Sequence, residues 1–295
     1  MIEGKETQFY RHNGYLVVEN VFSPEEVQEM RDALASLVAD AKGKTESDSV
    51  HDLEPGHTAE NPRVRRIKTP TTSHPVFDKM TRQANLVSIL TKIVSPGIRL
   101  HGSKINIKAA HYGSPVEWHQ DWAFYPHTND DVTAVGVLLE DATEENGPLM
   151  VVPGSHKGPT FDHHQDGFFA GAIDPETEGL NVDKAVPLMG KAGACTFHHV
   201  RALHGSAQNR SDKDRPLLLY QVAATDAWDL MGVKESWEDY KASVLAGELC
   251  LEPRFVQTPV RLPLPIAKKQ GSIYENQSVM KKRFFDFDPN AEAAE

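Results

Sequence analysis

The sequence predicts a mainly β protein with flanking helices, of the β-sandwich or jelly-roll kind. The first observation is a series of short β-type segments, punctuated by glycine and proline, that starts after Gly97 and continues to Val222. Many short strands separated by such turns are typical of sandwiches and jelly rolls. The second observation is a pair of helical patterns that come before this series. We therefore expect helices packed on the outside of a β core.

The first helical pattern has a clear start. Ser23 and Glu26 can form a capping box, and Pro24 fits the first helical position. Apolar residues then follow at helical spacing, which predicts a helix to about residue 41. Residues 14–18 come before this helix and are predicted to form a short strand.

A long polar segment separates the two predicted helices. Residues 42–63 are predicted to be a loop, and apolar spacing predicts the second helix over 75–94, ended by 95–97. Loops of this length often act as lids over binding sites. The segments 45–61 and 162–178 are therefore candidate lids.

Alternation of apolar and polar residues predicts the strands of the core. The predicted strands are 98–107, 132–139, 149–152, 185–188, 194–197 and 217–222. A last helix is predicted over 234–247. We expect a single domain over 1–295, with a helical N-terminal region over 1–97, a β core at roughly 98–225, and a C-terminal helix and tail at 226–295.

The bulk composition excludes several classes of function. The net charge of -11 argues against a general nucleic-acid binder, because neutralising phosphates requires a basic surface. No apolar run is long enough to span a membrane, and the N-terminus carries no apolar secretory signal. The two cysteines are isolated, as in a reducing compartment. These features predict a soluble, cytoplasmic protein, and they leave the oligomeric state open.

The stretch VEWHQDWAFY contains the first candidate metal ligands, His119 and Asp121. Residues two apart on a strand point to the same face, so this imidazole and carboxylate would project together. They would form half of a metal site. A second histidine would complete the triad of two histidines and one carboxylate that is typical of non-haem iron(II) oxygenases.

The second half of the pattern is His204-Gly205-Ser206, with Arg215 eleven positions after the histidine. A 2-oxo dicarboxylic acid can chelate iron through its carboxylate and oxo group, which leaves its far carboxylate in need of a cation. Arginine offers a planar, two-pronged donor for that carboxylate. Ser206 could donate a hydroxyl hydrogen bond to the same group.

These motifs, together with ENGPLMVVPGSH at 145–156, resemble the phytanoyl-CoA dioxygenase family, which includes ectoine hydroxylase. The resemblance extends from residue 14 to about 223. It implies a double-stranded β-helix, the cupin-like form of the jelly roll. The aromatic residues that follow the histidine and aspartate do not match the longer acidic signature of the ectoine hydroxylases.

The resemblance also implies cofactors and roles. The implied Fe(II) ligands are His119, Asp121 and His204. Arg215 and Ser206 would hold the far carboxylate of 2-oxoglutarate, and Asn106 resembles an asparagine that contacts this co-substrate. The implied reaction uses dioxygen to hydroxylate an unactivated C–H bond and releases succinate and CO2.

The substrate is expected to be a small polar or anionic metabolite. This expectation depends on the basic cluster at 63–68, in which Arg65 and Arg66 could form an anion-binding edge, and on Lys104, which shares strand parity with Asn106. The alternative for the cluster is an ordinary solvated surface. The alternative substrates are a fatty acyl-CoA or a secondary metabolite.

Aromatic and histidine side chains near the motif are further candidates. Trp122 and Tyr125 could line the substrate site or could belong to the core. The pair at 163–164 is expected in a surface loop, and the alternative is a position at the rim of the substrate pocket. Of the pair at 198–199, one histidine is expected to point inward and the other outward.

The same three candidate ligands are also compatible with proteins other than oxygenases. They could hold zinc in a β-sandwich hydrolase, or a metal in a protein without catalytic activity. Arg215 favours the dioxygenase, because a hydrolase has no need of a buried arginine opposite its metal.

Overall fold

The computed structural model describes residues 2–54, 56–111 and 113–286. The helices are α1 (Gly4–Asn13), α2 (Pro24–Ala39), α3 (Pro70–Ser73), α4 (Pro75–Thr81), α5 (Ala84–Ile93), α6 (Trp237–Ala242) and α7 (Ile273–Gln277). Within these described ranges, no helix combines the length and the apolar character that crossing a membrane requires.

Strands form the core of the fold and contribute about as many residues as the helices. They are β1 (Tyr15–Val18), β2 (His51–Leu53), β3 (Val64–Ile67), β4 (Ile98–Lys108), β5 (Val116–His119), β6 (Val132–Leu138), β7 (Met150–Val151), β8 (His164–Gln165), β9 (Phe168–Phe169), β10 (Val186–Pro187), β11 (Cys195–His199), β12 (His204–Ser206), β13 (Arg215–Ala224) and β14 (Val244–Ala246). The prediction of a mainly β chain with several helices is confirmed.

Two antiparallel sheets carry the site. The large sheet has the order β1-β11-β6-β13-β4-β3-β2, and β14 adds to β4. The small sheet has the order β10-β7-β12-β5. A separate hairpin joins β8 to β9.

Strand parity divides the large sheet into an apolar face and a functional face. Ile105 of β4 pairs with Leu218 of β13, and both are fully buried in the main core with residues of the N-terminal helices, such as Met30. Their chain neighbours point the opposite way, since the side-chain period of a strand is two. That opposite face presents Lys104 and Asn106 to the space between the sheets.

The start of α2 is confirmed in detail. The Ser23 hydroxyl accepts a hydrogen bond from the Glu26 backbone N–H, and the Glu26 carboxylate accepts one from the Ser23 backbone N–H. The helix begins at Pro24 and ends at Ala39. By contrast, α1 was not predicted, because its sequence carries little apolar periodicity to indicate a helix.

Three predicted elements are partly wrong. The loop predicted over 42–63 contains β2, which pairs with β3 and extends the large sheet. The helix predicted over 75–94 is two helices, because Gln83 leaves helical geometry and caps α5 by accepting from the Leu86 backbone N–H. The helix predicted over 234–247 is limited to α6, since β14 follows and pairs with β4.

Candidate metal centre and co-substrate cavity

A cavity of about 50 Å³ lies between the two sheets. The large sheet contributes Lys104, Asn106 and Lys108 to its wall, and the small sheet contributes His119 and His204. Polar and charged side chains therefore converge in the interior, where a protein rarely places them without a ligand.

His119, Asp121 and His204 come together at one end of this cavity. His119 ends β5 and is the register partner of His204 on β12. The nearer oxygen of Asp121 lies 3.9 Å from Nε2 of His119 and 4.0 Å from Nε2 of His204. The three possible ligand atoms all lie within 4.8 Å of one another, so one metal ion could contact all three.

The strand argument for Asp121 is wrong in its geometry, although the two side chains do meet. β5 ends at His119, and Asp121 begins a single 3-10 turn, Asp121–Ala123. This turn is held by the Trp122 backbone N–H, which donates to the Val200 carbonyl at 2.9 Å. The carboxylate thus reaches the histidines from a turn and not from a continued strand.

Backbone carbonyls orient both histidines. Nδ1 of His119 donates to the Glu117 carbonyl at 2.8 Å, and Nδ1 of His204 donates to the Ala202 carbonyl at 2.9 Å. In each neutral ring the lone pair is then on Nε2, the nitrogen that faces Asp121. This is the tautomer and the ring orientation that a metal ligand requires.

Burial and neighbouring groups set the protonation of the triad. Burial lowers the pKa of His119 to about 4, and burial with the adjacent histidines lowers that of His204 well below its usual value. Burial alone would raise the pKa of Asp121, but His198, His204 and Lys104 hold it well below its usual range. Two neutral imidazoles and one carboxylate are the donor set of a facial iron(II) site, so the residues fit that metal.

His198 supports the carboxylate from behind. Its Nε2 lies 3.5 Å from the farther oxygen of Asp121, and its side chain is 1% exposed. His199 is only partly buried, in agreement with the expectation that one of the pair points inward. Sequence reasoning gave His198 little weight, yet it orients a candidate metal ligand.

His163 was expected in a surface loop, but the structure buries it. It is 1% exposed, and its Nε2 accepts a hydrogen bond from the Gln120 backbone N–H at 2.8 Å. Gln120 also donates to the carbonyls of Pro159 and Arg201, which turns it away from the cavity. These contacts hold the chain between His119 and Asp121 and tie the predicted lid 162–178 to the site.

Arg215 lies in the same cavity and is 3% exposed. Its Nε donates to the Asn146 carbonyl at 3.2 Å and one terminal nitrogen donates to the Gly147 carbonyl at 3.0 Å. Among the described residues no carboxylate lies within ion-pair distance of it, and burial lowers its pKa to about 10. A buried guanidinium without an anion is prepared for an anionic ligand.

Gly147 explains one feature of the ENGP motif. It has a φ of 66°, and a Cβ there would lie 2.5 Å from the Ala207 carbonyl oxygen. Glycine alone is compatible with both constraints. The motif therefore builds the backbone carbonyl that holds Arg215.

Ser206 and Asn106, the two residues proposed from the sequence to contact the co-substrate, line the same cavity. The Oδ1 atom of Asn106 is buried and has no hydrogen-bond partner in the described part of the chain. Lys108 also lines the cavity, but its ammonium donates to the backbone carbonyls of Ser206 and Ala207. Lys108 therefore fixes the loop that follows β12.

Lys104 faces the cavity on the Asp121 side. No ion pair joins its ammonium to any carboxylate of the described residues within 4.0 Å, although the Asp121 charge is close enough to raise its pKa. Burial is the larger effect and lowers the pKa of Lys104. An uncompensated ammonium beside the candidate metal site is a second sign of an anionic ligand.

The basic cluster at 63–68 is largely neutralised by acidic residues. Arg65 forms an ion pair with Glu275 and lies over the ring of Tyr274, with 4.9 Å between its guanidinium carbon and the ring centre. Arg66 lies 3.8 Å from Asp52. Neither Arg65 nor Arg66 is among the described residues that line the cavity.

The two aromatic candidates occupy different environments. Trp122 is 1% exposed in an apolar cluster and donates from its indole nitrogen to the Pro259 carbonyl at 3.0 Å, so it is not among the cavity-lining residues. Tyr125 lies against Asp121, and burial together with the Asp121 charge raises its pKa well above the usual value. Tyr125 also lines a second, neighbouring cavity.

The C-terminal segment contributes to the wall of the cavity that contains Arg215. Ile273 and Tyr274, at the start of α7, line the wall beside Arg215. Gln277 anchors the helix, because its side chain accepts from the Glu117 backbone N–H and donates to the Gly171 carbonyl. No short-range pattern marked Tyr274, since the contact depends on residues far away in the sequence.

The sequence is similar to known proteins over most of its length. The phytanoyl-CoA dioxygenase (PhyH) family model matches residues 10–217. A Stutzerimonas stutzeri protein described as a probable alpha-ketoglutarate-dependent hypophosphite dioxygenase is 36% identical over 280 residues, which cover 94% of this chain and 97% of that protein. The ectoine dioxygenase of Bordetella parapertussis is 29% identical over 227 residues, or 71% of each chain.

Solved structures show the same fold. The EctD protein of S. alaskensis, crystallised with 2-oxoglutarate and 5-hydroxyectoine, superposes with a TM-score of 0.66 at 24% identity and covers 89% of each chain. The family model covers more than half of this chain, and the first of these relatives matches nearly all of it. The chain belongs to the phytanoyl-CoA dioxygenase family and is an iron(II)- and 2-oxoglutarate-dependent dioxygenase.

Proposed function

We propose that His119, Asp121 and His204 hold the iron. Their protonation, tautomers and mutual distances support this assignment. Iron supplies the activation of dioxygen when the co-substrate and the substrate are in place. The protein contributes three fixed ligands, and His198 holds the Asp121 carboxylate in position.

Arg215 is proposed to bind the far carboxylate of 2-oxoglutarate. Its burial, the missing acidic partner among the described residues and its position on the cavity wall support this role. Ser206 and Asn106 are proposed to donate further hydrogen bonds from the same wall. The co-substrate would leave as succinate and CO2.

We also infer that the two sheets form a double-stranded β-helix, since the cavity is lined from both of them. A single domain over 1–295, with its β core at roughly 98–225, is consistent with this arrangement. The C-terminal region belongs to that domain, because α7 contributes to the cavity wall.

The substrate is proposed to be a small anion, and Lys104 is the observation that carries this proposal. Lys104 lines the cavity, its ammonium is influenced by the Asp121 charge, and it has no acidic partner within ion-pair distance among the described residues. A reduced phosphorus oxyanion such as hypophosphite is the first candidate, because the relative that matches nearly the whole chain is named for that substrate. Nucleic acid is disfavoured by the net charge of -11, and a cytoplasmic location is proposed.

Hypophosphite would change the bond that is oxidised. It carries P–H bonds and no C–H bond, so its oxidation would replace the C–H hydroxylation expected from the sequence. Ectoine and other zwitterions remain the second candidate, on the strength of the ectoine dioxygenase relatives. A long acyl-CoA is the third candidate, and it is supported only by the name of the matching family.

The substrate proposal is tested by coupled turnover. Purified protein with Fe(II) and 2-oxoglutarate is mixed with hypophosphite, 2-aminoethylphosphonate, ectoine or phytanoyl-CoA, and succinate is measured against oxidised substrate. Equal amounts of succinate and oxidised anion support the proposal. Full coupling to phytanoyl-CoA, with none to any small anion, would overturn it.

Replacing Lys104 with methionine should raise the KM for the anionic substrate on the order of ten- to a hundredfold. This range corresponds to about 1.5–3 kcal/mol for a lost hydrogen bond to a charged group. Methionine keeps the apolar stem and removes the charge. The KM for 2-oxoglutarate, measured in the same assay, should change by less than about twofold. A rise in that KM instead would assign Lys104 to the co-substrate.

Replacing Arg65 with methionine should weaken 2-oxoglutarate binding on the order of tenfold, because Arg65 holds Tyr274 and Glu275 of the α7 region in place. The lost cation–π contact is worth about 1–2 kcal/mol when partly buried. Lys68→Met is the matched control, since Lys68 belongs to the same basic cluster and pairs with Asp52. Titration of the iron–2-oxoglutarate absorption would measure both variants. A selective effect of Arg65 on the anionic substrate would restore its predicted role in substrate binding.

A further inference from the structure

A second cavity, of about 400 Å³, lies on the other side of the aromatic wall of the metal site. We call it the Arg99 cavity, after Arg99, which lines it with His101, Tyr125, Asp229 and Tyr240. Its outer rim, which includes Lys234 and Glu235, is exposed to solvent. The cavity therefore connects solvent with the wall of the metal centre.

Phe124 and Tyr125 form that wall. The Phe124 ring lies 5.8 Å from the ring of His119. Tyr125 is close to Asp121 on one side, and its ring lies 5.1 Å from the ring of His101 on the other. A ligand in the Arg99 cavity is thus separated from the metal ligands by one layer of aromatic side chains.

Arg99 has the same features as Arg215. It is 3% exposed, and no carboxylate of the described residues lies within ion-pair distance of it. One terminal nitrogen donates to the Ala227 carbonyl at 3.1 Å, whereas Nε is buried without a partner. Its guanidinium lies over the Tyr240 ring at 4.9 Å, which fixes its plane. A rigid, buried and unpaired guanidinium is suited to a planar or tetrahedral oxyanion.

A group that could hold a metal ion, formed by His101, His127 and Asp229, borders the same cavity, and His101 and Asp229 belong to its wall. Nδ1 of His127 donates to the Tyr125 carbonyl at 2.7 Å, so the lone pair of that ring is on Nε2. This lone pair faces a terminal nitrogen of Arg99 at 3.4 Å. A divalent cation would have to displace the arginine from its hydrogen-bond acceptor and approach its positive charge. The arrangement therefore favours an anion over a metal.

Two acidic side chains of the wall, Asp229 and Glu235, act on Arg99 through their charge, although neither lies within ion-pair distance of it. One oxygen of Asp229 accepts from the Met231 backbone N–H at 2.7 Å. Glu235 is exposed and accepts from the Lys234 backbone N–H at 3.1 Å. Both carboxylates thus have local donors, and the Lys234 side chain adds a second positive charge at the rim.

We propose that the Arg99 cavity is an oxyanion-binding site that captures the anionic substrate before it reaches the metal. This inference rests on the proposed function only in taking the substrate to be an anion. The wall carries two basic and two acidic side chains, so its formal charge is near zero, and the fixed guanidinium of Arg99 would concentrate the anion by direct hydrogen bonding. The site would thus affect kcat/KM and leave kcat at saturating substrate nearly unchanged.

Equilibrium binding tests the site without turnover. The full chain, loaded with Fe(II) and 2-oxoglutarate under anaerobic conditions, is titrated with phosphite in a calorimeter. Lys104→Met removes the contact proposed at the metal and should leave phosphite bound at Arg99. Arg99→Met should bind phosphite at least about tenfold more weakly than the wild-type protein. Arg210→Met, at an exposed position, should bind it with unchanged affinity. The same titration is repeated with acetate. Tighter binding of acetate than of phosphite would indicate a site for carboxylates, and the reverse would indicate a site for phosphorus oxyanions.

Kinetics separate this inference from the proposed function. With the best anionic substrate, Arg99→Met should lower kcat/KM about tenfold and change kcat by less than about twofold. Arg99→Lys keeps the charge without the planar fork and serves as a second variant if the methionine protein does not fold. Unchanged phosphite binding and kcat/KM in a folded Arg99 variant would overturn the inference alone. Uptake of a second equivalent of Co(II), lost in His127→Ala, would also overturn it in favour of a metal site.

If no anion is oxidised while phosphite binding still depends on Arg99, the proposed substrate class is wrong and the binding site stands.

Discussion

Replacing Asp121 with alanine is expected to abolish turnover and to remove stoichiometric Fe(II) binding. Asp121 is the one carboxylate of the triad, and its negative charge would offset the positive charge of the metal ion. Two neutral histidines without it leave a weak, incomplete site. Iron content of anaerobically reconstituted protein and succinate formation measure the two losses.

Asp183→Ala is the matched control, because the Asp183 side chain is exposed and far in sequence from the motif. It should keep the wild-type iron content and rate. Thermal unfolding of both variants checks that the alanine proteins are folded. Full activity in a folded Asp121→Ala protein would contradict the assignment of the triad.

Replacing Arg215 with alanine is expected to raise the KM for 2-oxoglutarate on the order of thirtyfold to a few thousandfold. Truncating one partner of a buried, hydrogen-bonded charge pair typically costs about 2–5 kcal/mol. Iron binding should be retained, since Arg215 bonds the carbonyls of Asn146 and Gly147 and no ligand of the triad. Steady-state kinetics over a wide range of 2-oxoglutarate, together with iron analysis, measures both.

Two further variants define the role of the guanidinium. Arg215→Lys keeps the charge but loses the planar fork, so its KM should lie between those of wild type and Arg215→Ala. Arg210→Ala, at an exposed neighbouring position, should behave as wild type. An unchanged 2-oxoglutarate requirement in Arg215→Ala would place the carboxylate anchor elsewhere.

The residues of the site that belong to short local motifs could be predicted well from the sequence. His119, Asp121 and His204 are close in space, as expected, although Asp121 reaches the site from a turn. Arg215 begins β13 and faces the same cavity because its strand parity matches that of Leu217 and Leu219. These relations depend on short spacings and on strand alternation, both of which are visible in the sequence.

Elements with competing long-range contacts were predicted less well. Residues 51–53 are polar enough to suggest a loop, but β2 forms because β3 offers an unpaired edge. Residues 244–246 continue a helical pattern, yet they pair with the end of β4 as β14. In both cases backbone pairing with a distant strand overrides the local preference.

The basic cluster shows the same limitation for function. Arg65 was predicted to contact the substrate because it stands among cations in an acidic protein. Its partners, Tyr274 and Glu275, lie about two hundred residues later and could not be inferred from spacing. Among the described residues Lys104 and Arg99, by contrast, have no acidic partner at ion-pair distance, and that distinction requires the three-dimensional structure.

The central claim is that the triad holds iron that 2-oxoglutarate can chelate. The most direct measurement is the anaerobic visible spectrum of the protein with Fe(II), recorded before and after 2-oxoglutarate is added. We predict a metal-to-ligand charge-transfer band that appears with the wild-type protein and is absent from His204→Ala. A wild-type protein that binds Fe(II) but shows no band, or a band that persists in His204→Ala, would contradict the account.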